Sequence, residues 1–282
     1  MLYWKDKVKK NCDFIRGLYR YPQKMLGRSI GELQPTTATT VVVAAHPDDE
    51  TLGIGGLICQ EVNQGKNIVI IFATNGCRGL PEPMSIHERV AMRIEEARTA
   101  LSLPGISPHN VSFLGFPDSE SYRYMESLGH DLTRLLAMVH PTAVFVHGIE
   151  GGHIDHDVVS YVTQRICLRL GIDSVWEWAE YNPKYPLNSP VVAFMEGTSS
   201  AGKTFELNEA VLRLKARMIS CYESQKLPSG CLRTTEVIRK ADFHTALPRF
   251  LNSHKSDFWN KRLPPVTRKF ERQITRFGKK IK

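Results

Sequence analysis

Two short stretches of this 282-residue chain hold more metal-binding and proton-transferring groups than folding alone would require. The first is His46-Pro47-Asp48-Asp49-Glu50, an imidazole and three carboxylates within five residues. Neighbouring carboxylates repel one another and are costly to desolvate unless a cation neutralises them. A divalent metal would do so, and histidine nitrogen with carboxylate oxygen suits zinc or, less strictly, another first-row metal. The second stretch is Gly148-Ile149-Glu150-Gly151-Gly152-His153-Ile154-Asp155-His156-Asp157. His153 and His156 are three apart, so at the start of a helix they share a face. Asp155 between them can accept an N–H from one ring and fix its tautomer. Two histidines and one carboxylate, with a position left open for water, make the catalytic zinc pattern, whereas a structural zinc is closed by four protein ligands.

Other readings compete. Acidic residues favour the first turn of a helix, so Asp48 or Asp49 could be a cap and nothing more. Gly53-Ile54-Gly55-Gly56 follows a strand and opens a helix. In a dinucleotide site, however, the glycines occupy the strand-to-helix turn and meet the pyrophosphate. Here acids fill that turn and would repel phosphate, which excludes the dinucleotide reading. No G-x-S-x-G elbow follows a strand and no H-E-x-x-H occurs, which disfavours a serine hydrolase and a classical zinc protease.

These loops need a frame that brings them together. Residues 40–45 (TVVVAA) and 67–74 (NIVIIFAT) read as strands buried on both faces, and 111–114 and 143–147 as further strands, while 175–178 could be a later strand. Residues 191–194 could form a later one. Helices are expected over 55–63, 86–102, 127–139, about 157–170, and 207–222. Strands alternating with helices imply βαβ units. The predicted class is α/β, a Rossmann-like three-layer sandwich with a mainly parallel sheet, in which sites form where loops leave the carboxyl ends of strands. Both acidic, histidine-bearing loops leave strands at that edge.

The motifs Ala45-His46-Pro47-Asp48-Asp49-Glu50 and Gly152-His153-Ile154-Asp155-His156 resemble those of the PIG-L/LmbE-like family of zinc-dependent N-acetylglucosaminyl deacetylases. Ala73-Thr74-Asn75-Gly76, Arg93-Ile94-Glu95-Glu96-Ala97, Leu114-Gly115-Phe116-Pro117-Asp118 and Tyr222-Glu223-Ser224-Gln225 are similar to further family segments. The match runs over roughly residues 40–226, with Ile154 where the family often has proline. The resemblance implies one zinc per chain, or another divalent first-row metal, on His46, Asp49 and His156. It implies Asp48 as general base, His153 as oxyanion stabiliser or proton donor to the leaving amine, and Asp155 as the group that holds His153 and favours its charged form. It suggests that Arg93 and Asp118 bind the substrate; as bare residues they could equally be a paired helix arginine and a turn cap. The implied reaction removes the N-acetyl group from an N-acetylglucosamine-containing sugar or glycoconjugate, for instance a biosynthetic intermediate such as an aminoglycoside precursor. The alternatives are an amidase of another acyl-amide on the same metal site, or a non-catalytic protein that binds anionic lipid or nucleic acid. His147 is a further candidate near the mouth of the site, or equally a residue buried at the strand end. Trp176, Trp178, Tyr181 and Tyr185 could line a sugar site, but such residues are more often core.

Composition sets the remaining bounds. An apolar content of 42% suffices for one sizeable core, and 23% charged residues is ordinary for a globular chain. The expected organisation is an N-terminal helical extension over 1–35, a deacetylase core over 36–230, and a C-terminal segment over 231–282 with a basic amphipathic helix at 266–281. Trp4, Val8, Cys12, Ile15 and Tyr19 form the apolar stripe of the first helix. The net charge of +8 is matched by the tail from Lys261 to Lys282. Such a tail can attract nucleic acid or an anionic membrane surface, but a solvated helix face is the favoured reading. There is no apolar run of membrane-spanning length, no secretory h-region, and no C-x-x-C pair among six cysteines. These features point to a cytoplasmic protein with free thiols.

Overall fold

The structure, a computed structural model, describes residues 25–33, 38–78, 83–195 and 202–253. The helices expected near residues 4–19 and 266–281 lie outside the described residues. Strand β1 (Thr39–Ala44) leads into α1 (Asp49–Asn63), then β2 (Asn67–Thr74), α2 (Ile86–Ser102), β3 (Val111–Phe116), α3 (Met125–Val139), β4 (Ala143–His147), α4 (Ile154–Leu170) and β5 (Val175–Trp178). After β5 come β6 (Lys203–Glu206), α5 (Glu209–Ser220), β7 (Thr235–Lys240) and α6 (Ala246–Ser253). The strands form a seven-stranded sheet in the order β3-β2-β1-β4-β5-β7-β6. The five strands β1 to β5 run parallel, and β7 pairs antiparallel with both β5 and β6. The expected mainly parallel α/β sandwich is the architecture observed.

The alternation along each strand accounts for the layering. Val41 and Val43 face one helical layer with Leu132, Leu136, Val158 and Val162 of α3 and α4. Val42 and Ala44 face the other, with Ile58 of α1, Ala97 of α2 and Met218 of α5. A strand buried on both faces has no polar side to show, which is why β1 and β2 read as unbroken apolar runs. The chain passes from β1 outward to β2 and β3, then returns to place β4 on the other side of β1. This reversal is the switch point at which open α/β sheets form their crevice, and it sets the loop after β1 beside the loop after β4.

Three features depart from the sequence reading. Residues 191–194 form no strand. The sheet continues past residue 230, because β7 is inserted between β5 and β6. Helix α1 begins at Asp49, not Gly55, and carries its glycines inside. Gly53 permits a close approach, since a Cβ there would lie 2.3 Å from the Trp178 ring. The helix kinks at Ile54 (φ −138°, ψ 24°). A kink frees backbone groups that must find other partners. The Glu236 carboxylate of β7 accepts the Gly56 and Leu57 N–H groups at 2.7 and 2.8 Å. Lys215 of α5 donates to the Leu52 carbonyl at 3.1 Å and to Glu236 at 2.6 Å.

The described cysteines, Cys59, Cys77, Cys167, Cys221 and Cys231, are all free thiols. Among the described residues no helix is long and apolar enough to cross a membrane.

Lys215 and Glu236 are both buried, so removing one strands the other. Glu236→Ala is expected to lower the unfolding free energy by about 3–5 kcal/mol, the scale for breaking a buried ion pair. Urea unfolding of the two proteins measures this, and a loss below about 1 kcal/mol would show that the pair does not hold the kink.

Candidate metal centre

The turn after β1 is held in a strained conformation. Asp48 has φ +128°, a region that L-residues rarely adopt and that costs about 1–3 kcal/mol. Its carbonyl accepts the Thr51 and Leu52 N–H groups at 3.0 and 2.9 Å, and its own N–H donates to Glu50 Oε2 at 3.1 Å. Its side chain makes no capping hydrogen bond to α1, so the simple cap reading does not account for it. The carboxylate instead meets the Arg93 guanidinium at 2.9 Å. Arg93 is buried, also donates to the Pro47 carbonyl, and meets Glu96 at 3.1 Å. Its hydrogen bonds to the protein serve the turn itself. Glu96 in turn accepts both the N–H and the hydroxyl of Ser224 at 2.7 Å. Tyr222 donates its hydroxyl to Glu50 at 2.7 Å. The Arg-x-x-Glu helix and the Tyr-x-Ser-Gln segment therefore meet as braces of the first loop.

The loop after β4 is pinned from within. Asp157 accepts the N–H groups of Glu150 and Gly151 at 2.9 and 3.0 Å. Glu150 reaches across to accept from the Asn182 amide at 2.8 Å and the Met195 N–H at 2.8 Å. A side chain at Gly152 would collide with the Tyr181 carbonyl, 2.2 Å from an added Cβ. These contacts hold residues 181–195 against the loop, which is why the apolar run 191–194 is not a strand.

Between the two loops lies a cluster of acids and imidazoles. His46 Nδ1 is 3.1 Å from Asp49 Oδ2, and His156 Nε2 is 3.3 Å from Asp49 Oδ1. His46, His153 and His156 offer nitrogens that all lie within 4.8 Å of one another. The Asp155 carboxylate bonds His46 Nε2 at 3.1 Å, the Ser119 N–H at 2.5 Å and the Ser121 hydroxyl at 2.5 Å. Asp118 accepts the Arg78 N–H at 2.8 Å and lies 3.5 Å from His46 Nε2. A cavity of about 380 Å³ opens here, lined by His46, Asp48, Asp49, Arg93, Asp118, His153 and Tyr181 among others. All eight residues singled out in the sequence are thus gathered around one site, Asp155 and His156 being buried at its edge.

The electrostatics separate their roles. Burial pushes the Asp48 carboxyl well above the usual range, Arg93 partly restrains it, and Asp49 adds to the rise. Burial acts the same way on Asp49, but His156, His46 and His147 outweigh it and hold that carboxyl well below the usual range. Burial and the neighbouring His147 lower His156 to about 4, which keeps its ring neutral. His153 is also lowered, by burial first and then by His46, and the opposing pull of Asp155 does not prevail. Asp155 does favour the charged form of His153, as expected, but burial and His46 outweigh it. His153 Nδ1 accepts the Asp155 N–H at 3.2 Å, which leaves the proton of the neutral ring on Nε2.

The donor set fits a divalent metal. Asp49 offers a buried, ionised carboxylate and His156 a neutral ring, the protonation states that ligation needs, while His46, against the pull of burial, is held well above its ordinary value by Asp49 and Asp118. The His46 Nε2 contact to Asp155 is the carboxylate–histidine arrangement that orients metal-binding rings. His46, Asp49 and His156 are the residues that would hold zinc.

Sequence reasoning passed over Glu180 and gave His147 and Tyr181 no place among the metal-site residues. His147 and Glu180 join Asp49 and His156 in a second group of buried donors. The Tyr181 hydroxyl lies 3.4 Å from His156 Nε2. The available signal was position, since Glu180 and Tyr181 follow β5 at the same carboxyl edge of the sheet.

Comparison with known proteins agrees with this fold. Residues 41–167 match the family model PIG-L: GlcNAc-PI de-N-acetylase. The 1D-myo-inositol 2-acetamido-2-deoxy-alpha-D-glucopyranoside deacetylase of Corynebacterium diphtheriae is 27% identical over 162 residues, 49% of this chain and 55% of that protein. A deacetylase of the teicoplanin biosynthetic pathway superposes with a TM-score of 0.57 at 15% identity, covering 73% of this chain and 99% of the other. The hydratase GalB of Pseudomonas putida shares the fold with a TM-score of 0.51 at 20% identity, over 67% of this chain and 80% of its own. The chain spans about half the length of the curated relatives it matches. Its residues 41–167, a little under half of the chain, are similar to the PIG-L family.

Glu150 provides a stability test of the second loop. Burial raises its carboxyl from 4.5 to about 7, against the pull of Arg239, the Met195 N–H and Asn182. A raised carboxyl binds its proton more tightly in the folded state, so folding is favoured at low pH and loses that advantage as pH rises. The stability of the wild type relative to Glu150→Gln should therefore fall between about pH 4.5 and 7, by at most about 1.4 kcal/mol per unit, then level off. Urea unfolding across this window measures it, and a constant difference would refute the assignment.

Proposed function

We propose that the protein is a zinc-dependent hydrolase that removes the N-acetyl group from an N-acetylglucosamine-containing sugar or glycoconjugate. The observation that carries this reading is the pairing, in one cavity, of a metal-competent His46/Asp49/His156 set with Asp48, a separate carboxylate gripped by Arg93. The fold alone would not suffice, since a hydratase shares it. The match of residues 41–167 to the family model and the activities named for the matched relatives add support.

Zinc, when bound, supplies the Lewis acid that makes an amide carbonyl electrophilic and brings the acidity of water near neutrality. The chain supplies the rest. Asp48 accepts the proton of the attacking water; its elevated pKa makes it a better base than an ordinary aspartate. Arg93 fixes the carboxylate in place and stays protonated itself. His153, which lines the cavity and carries its ring proton on Nε2, would donate to the developing oxyanion. Asp155 orients His46. Asp118, at the cavity wall, can accept from a sugar hydroxyl. Arg93, committed to Asp48 and Glu96, contributes to substrate binding mainly through the shape of the floor.

The test is acetate release from free and conjugated N-acetylated amino sugars, with zinc and with chelator. Zinc-dependent release from at least one is expected; release only from longer acyl amides would overturn the N-acetyl assignment. Asp48→Asn should retain zinc and lose at least about 100-fold in kcat. His156→Ala should lose zinc. If Asp48→Asn lost the metal while Asp49→Asn kept it, the two aspartates would have exchanged roles.

A further inference from the structure

His147 and Glu180 are buried, do not line the cavity, and have no part in the chemistry above. Both nevertheless face the proposed metal ligands. The His147 ring stacks on His156, with centroids 3.9 Å apart and planes 24° from parallel. Its Nε2 lies 3.4 Å from Asp49 Oδ2. The same nitrogen accepts the Ala45 N–H at 3.0 Å, so it carries a lone pair and the ring proton resides on Nδ1. Nδ1 lies 3.4 Å from Glu180 Oε2. That oxygen is also the acceptor of the Trp178 indole N–H at 3.2 Å.

This arrangement ties together three strand ends. His147 closes β4, Ala45 follows β1, and Glu180 follows β5. Ordinary packing does not call for a carboxylate here, because burying one costs several kcal/mol unless its surroundings compensate it. Nor is His147 itself placed to ligate through Nε2, which the Ala45 N–H already engages. The group that gains from a ring locked in tautomer and plane is the pair it touches, His156 and Asp49.

We infer that Glu180 and His147 are positioning residues for the metal site, with Glu180 acting through His147 to hold the His156 ring and the Asp49 carboxylate in ligating orientation. The inference rests on the assignment of His46, Asp49 and His156 as ligands. Outer partners of metal ligands commonly contribute about 10- to 100-fold in metal affinity.

The test is the zinc affinity of the full chain, measured by competition with a chromophoric chelator, alongside the Tm of each metal-free protein. Glu180→Gln preserves shape, and His147→Gln keeps an acceptor for the Ala45 N–H, so both should fold. Each should bind zinc about 10- to 100-fold more weakly than wild type, at a metal-free Tm near that of wild type. The double variant should be no weaker than the weaker single, because the two act as one unit. Zinc affinity within about two-fold of wild type in both singles, or fully additive losses in the double, would overturn the inference while leaving the metal site intact. A wild type that binds no zinc would overturn the metal site and, with it, this inference.

Discussion

Mutual repulsion among buried carboxylates is the constraint around which this molecule is built. Asp48, Asp49, Glu50, Asp118 and Asp155 are all buried at one edge of the sheet. Four of them have compensation fixed by the fold. Asp48 has Arg93, Glu50 has the Tyr222 and Thr51 hydroxyls, Asp118 has the Arg78 N–H, and Asp155 has the Ser119 and Ser121 donors. Asp49 differs. Apart from the His46 N–H, the groups that offset its charge are the imidazoles of His46, His147 and His156. Three closely packed rings cannot all carry protons without repelling one another, and His156 is already driven down to about 4. A divalent cation resolves both problems, since it neutralises the carboxylate and leaves the rings neutral.

Support for this edge comes from distant parts of the chain. The strained Asp48 turn opens α1, and α1 is kinked one turn further on. The kink is stable because Glu236 and Lys215, more than 150 residues later, take up the backbone groups that it frees. On the other flank, Glu150 and Asp157 turn the second loop into a bracket for residues 182–195. Both loops are thereby fixed before any ligand arrives, which suits a site whose function depends on geometry.

The parallel half of the sheet was legible because β1 to β5 bury both faces, and a short apolar run bounded by turn residues fits a buried strand better than a surface helix. The site loops were legible because their chemistry is costly without a purpose. The antiparallel half was hidden for the opposite reason. Strand β7 (TEVIRK) places Glu236 and Arg239 in the interior, paired with Lys215 and Glu177, so its charges disguised a central strand. Residues 191–194 looked like a strand by composition, but their backbone is claimed by Asn182 and the flanking Met195 N–H by Glu150. Long-range side-chain contacts of this kind leave no local periodicity to read.

The role of Asp155 shows where a motif stops being informative. In sequence it stands between His153 and His156, and proximity alone suggests that it serves His153. In the fold, helix α4 begins at Ile154, and its first turn carries the Asp155 carboxylate toward His46 and the 119–121 loop. His153 receives a hydrogen bond from the Asp155 backbone N–H and feels the carboxylate only through its charge. One residue thus sets the tautomer of His153 through its main chain and the orientation of His46 through its side chain. A neutral His153 is a hydrogen-bond donor to an oxyanion, and becomes a full proton donor only as negative charge develops beside it. On the proposed mechanism, Asp48 would handle the proton of the nucleophile and His153 would respond to the charge that the attack creates.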